Sequence, residues 1–150
     1  MGEARMTITE CSDPDLVGVS WATDDEGNHH TVDGLTFARV SEKNSARASR
    51  WHPGFPHDDT WSGADWSNAM CGEAGEAANI VKKLRRYEDG LRGVGDPTEP
   101  ELLDMLADEV ADVFLYLDLL AAKYAIDVPA AIVRKFNVVS ERQGFPERLP

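Results

Sequence analysis

The chain has 150 residues, 42% of them hydrophobic, which fits one globular domain with a core large enough to stand alone. Its 27 acidic side chains outweigh 15 basic ones, and the formal net charge of −12 argues against a general nucleic-acid binder or an anionic membrane surface as partner. The same excess suits a protein that collects cations; an acidic partner-binding or DNA-mimicking surface is the rival explanation.

Cys11 and Cys71 are far apart and form no CxxC, so neither a zinc ribbon nor a disulfide scaffold is expected. MGEARMTITECSDPD lacks the basic start and apolar run of a secretion signal, and no apolar stretch approaches the ~20 residues of a bilayer span. The expectation is a cytoplasmic protein with reduced thiols and no membrane partner.

Residues 1–34 read as an N-terminal extension. LVGVSWATDDEGNHHTVDG alternates weakly around DDEGN, compatible with a small hairpin or with a flexible tail. From Leu35 the pattern turns helical, and LTFARVSEKNSARASRWH runs to the breaker PGFPHDD. A second helix starts at Asp59 to Ser62 and continues through WSNAMCGEAGEAANIVKKLRRYED; GLRGVGDP then reads as a loop. Thr98 and Glu101 form a T-x-x-E capping box for a third helix, with Pro100 in the first turn, where its missing N–H does no harm. Asp127 is the expected N-cap of a fourth, VPAAIVRKFNVVSER, which Gly144 and Pro146 end. Residues 35–150 are therefore expected to form an all-α, four-helix, bundle-like domain.

Acids intrude on the apolar rows of two of these helices. Leu102, Leu106, Glu109, Val113, Leu117 and Leu120 follow steps of three and four, and Met105, Glu109, Asp112, Tyr116 and Leu119 make the neighbouring row. Glu73 and Glu76 lead into Ala77, Ile80, Val81 and Leu84. Residues three apart are neighbours on a helix face, so two such pairs on packed antiparallel helices would bring four carboxylates together. Burying them unpaired is costly and raises their pKa values. A divalent cation relieves both strains, and hard oxygen donors select Mg²⁺ or Mn²⁺ over zinc. The small residues around Glu73 and Glu76 are expected to let the helices approach closely. Against this stands the plain reading that E-x-x-E or E-x-x-D usually marks a solvated face.

GEAGEAANIVKKL, then LADEVADVFLYLDLLA, then KFNVVSERQGFPERL resembles the MazG-like all-α nucleoside triphosphate pyrophosphohydrolases, especially the compact single-domain forms often carried by phages. The resemblance runs from about Trp51 to Leu149. It implies hydrolysis of a nucleoside or deoxynucleoside triphosphate to monophosphate and pyrophosphate, with Glu73, Glu76, Glu109 and Asp112 as metal-binding and catalytic acids. Many relatives begin the first motif E-E-x-x-E; here Gly72 precedes Glu73, removing one candidate ligand or base. The resemblance also implies a homodimer or homotetramer. A related activity on another pyrophosphate compound, such as phosphoribosyl-ATP, and a non-catalytic acidic helical binding protein are the alternatives.

Positive groups for the phosphates are few. Lys82 and Lys83 lie one to two turns beyond Glu76, although basic residues at a helix end also suit its dipole. Lys135, Asn137 and Arg142 match the terminal motif of the resemblance and are expected at phosphate or ribose, their plain alternative being a solvated face. Trp61 and Tyr116 are candidates to stack on a base, though aromatic residues near helix starts more often serve the core. His52 and His57 are expected in a solvated loop, and Asn79 either beside the metal or facing water.

Overall fold

The structure is a computed structural model that describes residues 35–150 and, before them, the backbone of Thr7–Glu10, Ser20–Thr23 and His29–His30. The chain groups into two compact units, Met1–Val40 and Ser41–Pro150. The first contains strands β1 (Thr7–Glu10), β2 (Ser20–Thr23) and β3 (His29–His30) in an antiparallel sheet of order β1-β2-β3. Ile8 pairs with Ala22, and Ala22 in turn with His30. Strands β2 and β3 are thus antiparallel neighbours; the DDEGN stretch between them, where a hairpin turn is one expectation, lies outside the described residues.

The helices are α1 (Phe37–Trp51), α2 (Gly63–Glu88), α3 (Glu99–Lys123) and α4 (Val128–Gln143). Residues 35–150 are all-α, as the helical periodicity requires. Thr98 caps α3 through the expected box: its hydroxyl accepts from the Glu101 N–H, and the Glu101 carboxylate accepts the Thr98 N–H at 2.7 Å. Ser62 and Asp65 repeat that arrangement at the start of α2. Asp127 caps α4, and Gly144 closes it in the left-handed conformation, φ 70°.

Helix α2 pairs with α3 in antiparallel fashion: Trp66 near the start of α2 meets Tyr116 late in α3, while Tyr87 and Leu102 line one cavity at the opposite end. Ile80 and Leu102 are buried, and Trp66, only 1% exposed, is the centre of a cluster with Ala48, Phe55 and Leu119. Helix α1 is pinned to α3 by polar groups. Asn44, buried, donates to the Leu115 carbonyl at 2.8 Å and to Asp118 Oδ2 at 2.9 Å, and the Ser41 hydroxyl donates to Asp118 Oδ1.

The connection from α1 to α2 is folded tightly. At Gly54, φ 91°, a Cβ would stand 2.7 Å from the Asp58 backbone, so only glycine fits. That turn delivers Asp59, whose side chain is wholly buried, to an ion pair with Lys123 at the end of α3. Burial alone would raise the Asp59 carboxyl; the Lys123 hydrogen bond and charge, helped by the Trp66 indole, hold it below the usual range. Asp59 Oδ2 and Trp66 Nε1 are both buried without a hydrogen bond of normal geometry.

Two expectations are corrected here. A Cβ at Gly72 or Gly75 would meet nothing within 4 Å, so these glycines do not mediate close helix approach. Both are exposed. Leu117, placed by periodicity in the core row, is exposed, as are Val81 and Met105. The buried positions late in α3 are Asp118, Leu119 and Ala121. Among the described residues, no helix is long and apolar enough to cross a membrane.

Candidate active site

The acids on α2 and α3 converge. Glu73, Glu109 and Asp112 each offer a carboxylate oxygen, and these atoms lie within 4.8 Å of one another. Glu73 and Glu109 are half-buried and Asp112 is exposed. Burial, then the charges of Asp112, Glu76 and Glu109, and a hydrogen bond with Glu109, push the Glu73 carboxyl above its ordinary value. Such a group of hard oxygen donors, lacking a cation among the side chains within the cluster, fits a divalent ion of the Mg²⁺ or Mn²⁺ type.

Glu76 stands apart from the expected foursome. It is exposed and outside the tight group, although its charge is felt at Glu73.

Beside the acids opens a cleft of about 150 Å³, lined among others by Arg47, Trp51, Trp61, Trp66, Tyr116, Glu73 and Asp112. Trp61 and Tyr116 line this cleft beside Glu73 and Asp112, while also packing against the core cluster. The rings form a connected wall: Trp61 and Trp66 centroids are 4.7 Å apart, and Trp66 and Tyr116 are 6.3 Å apart. His52 is not a solvated loop residue. It is half-buried, with its ring 4.5 Å from Trp61 and 5.0 Å from Trp66. His57 and Asn79 are exposed.

Arg47 was not legible as a site residue. Its guanidinium donates to Asn44 Oδ1 at 3.0 Å and lies 5.3 Å from the Trp51 ring centroid. Asn44 is itself fixed by Asp118 and the Leu115 carbonyl, so a chain of hydrogen bonds orients the cation of the cleft. An arginine in the sequence NSARASRWH carries no pattern that distinguishes it from a solvated one; only the docking of α1 on α3 does so.

The other expected phosphate contacts lie elsewhere. Among the described residues, Lys82, Lys83, Lys135, Asn137 and Arg142 line neither the acidic group nor the aromatic cleft. Asn137 is engaged with the C-terminal segment, donating to the Leu149 carbonyl at 2.9 Å and accepting from the Leu149 N–H at 2.8 Å. Its amide oxygen and nitrogen are thereby both engaged in holding the C-terminal segment. Lys82, Lys135 and Arg142 are exposed; Lys83 is half-buried near the end of α2.

No protein-family model matches the chain. It is similar to dCTP pyrophosphatase 1 of Rattus norvegicus and of Homo sapiens, each 32% identical over 81 residues, and to the Mus musculus protein of the same name at the same identity. The matched part is 54% of this chain and 44% of each relative, so the match spans less than half the length of those proteins.

Proposed function

We propose that this protein hydrolyses a nucleoside or deoxynucleoside triphosphate to the monophosphate and pyrophosphate, with a divalent metal ion held by Glu73, Glu109 and Asp112. The carrying observation is the meeting of those three carboxylates at the mouth of an aromatic cleft. Similarity to proteins named dCTP pyrophosphatase supports the same reaction class.

In this reading each part of the site has one task. Glu73, Glu109 and Asp112 supply oxygen ligands, and Glu76, one turn further along α2, is the fourth acid. A bound Mg²⁺ would neutralise phosphate charge and activate or orient water. Trp61 and Tyr116 form the wall against which a base stacks, backed by buried Trp66, and Arg47 sets a positive charge beside it.

The test is a panel of all common NTPs and dNTPs with Mg²⁺, scoring pyrophosphate. Pyrophosphate release is expected with at least one of these substrates. Orthophosphate as the only product, or no turnover with Mg²⁺ or Mn²⁺, overturns the proposal.

We further propose a homo-oligomer. Leu103, Val110 and Leu117 recur at seven-residue spacing on one side of α3, each at least 42% exposed, and α4 leaves Ile132 and Phe136 exposed as well. A second copy covering this stripe would remove apolar surface from water.

A further inference from the structure

At the far end of the α2–α3 pair, basic side chains gather around one cavity. A cavity of about 160 Å³ there is lined by Lys83, Arg86, Tyr87, Arg92, Asp96 and Leu102, together with the loop leading from α2 to α3. Three cations face one carboxylate, in a chain whose formal net charge is −12. Along α2, Lys83 is ten residues beyond Glu73, which at 1.5 Å per residue places it about 15 Å from the acidic cluster.

Local structure builds this basin rather than leaving it to mobile side chains. The loop is tied down where the Leu91 N–H donates to the Arg86 carbonyl at 2.8 Å and the Gly93 N–H donates to Asp96 Oδ2 at 2.7 Å. Gly90 and Gly95 supply the positive φ that these turns need. Arg92 is held twice: it lies 4.8 Å from the Tyr87 ring centroid, and its Nη2 donates to the Asp96 carbonyl at 3.0 Å. The Asp96 carboxylate spends one oxygen on the Gly93 N–H, which weakens its claim on the cations. Neighbouring Arg85 is different. It forms ion pairs with Glu88 and Asp89, whereas Lys83, Arg86 and Arg92 make no ion pair within 4.0 Å among the described residues; Arg86 donates to the Leu91 carbonyl at 3.5 Å, and the Arg92 charge is felt at Glu101.

We infer that this basin is a binding site for a phosphate-bearing anion of the pyrophosphate class, separate from the acidic site. Arg86 and Arg92 present planar N–H groups suited to phosphoryl oxygens, and Lys83 adds a point charge from the helix. No divalent ion is needed, because the countercharge comes from the protein. The inference does not rest on the proposed hydrolase activity. It concerns residues that the acidic site and the aromatic cleft leave unused.

Binding is tested by calorimetric titration of the full chain with inorganic pyrophosphate, and in parallel inorganic phosphate, with divalent ions removed by a chelator. Pyrophosphate is expected to bind more tightly than phosphate. The R86Q/R92Q double variant should weaken pyrophosphate binding at least tenfold, and E73Q should leave it within a factor of two. Amide shift mapping of the unaltered protein serves as a second measurement, with the largest shifts expected over residues 83–96. Absence of binding, unchanged affinity in R86Q/R92Q, or shifts centred on Glu73 and Asp112 overturns the inference.

Discussion

Glu73 carries the tension of the site in one side chain. Its carboxyl is raised by burial and then by the charges of Asp112, Glu76 and Glu109, so folding takes up protons at this position. In the metal-free protein its contribution to stability is fully present below the unfolded-state value of 4.5 and is lost as pH rises through the folded one. A divalent ion reverses that sense, because it binds the ionised form. The rise in melting temperature on adding millimolar Mg²⁺ should therefore grow as pH increases from about 5 to about 7.5. A shift that is flat with pH, or absent, contradicts the ligand assignment. Substitution sorts the acids further: E73Q and D112N should each lower pyrophosphate release at least ~100-fold with the fold intact. E76Q should cost less, about 10–100-fold, since Glu76 stands outside the tight group. Equal losses in all three variants would contradict the geometry.

Elements are fixed to one another here by buried polar groups as much as by apolar packing. Asp59 and Lys123 join the α1–α2 connection to the end of α3, with side chains 0% and 15% exposed. Removing only the cation leaves a buried carboxylate unpaired, so K123M should cost about 3–5 kcal/mol in denaturant unfolding. The D59N/K123M pair should recover part of that loss; no recovery would show that Lys123 acts through packing alone. The lowered Asp59 carboxyl has the opposite pH sense to Glu73: its stabilisation is present above the unfolded value of 3.8 and lost as pH falls through the folded one. Element boundaries were largely legible, because capping chemistry is local. Thr98 with Glu101, Asp127 and Gly144 mark helix ends through contacts spanning a few residues. Burial was less legible. Asp118 reads as one more acid in α3, yet Ser41 and Asn44, more than seventy residues earlier, make it an interior group.

At the scale of the molecule, the helices leave apolar surface that one copy does not cover. If Leu103, Val110 and Leu117 form a subunit contact, V110K and L117K should reduce the sedimentation mass to that of a monomer while helical circular dichroism persists. A monomeric parent protein, or variants that assemble like the parent, would show that the stripe is simply solvated. The same reasoning explains why Leu117 misleads a reading by periodicity. An apolar row at helical spacing says that a face is to be covered, but not whether by the chain's own helices or by another copy.

The sequence by itself determined four helices, most of their caps and the acids that meet between α2 and α3, because each depends on residues within one or two turns of a helix. Tertiary structure alone decided that three acids rather than four share the tight group, that Arg47 and His52 join Trp61 and Tyr116 at the cleft, and that Asn137 serves the C-terminal segment. Those outcomes depend on how helices rotate and dock on one another. The distances involved are set by side chains far apart in the chain, which no local pattern records.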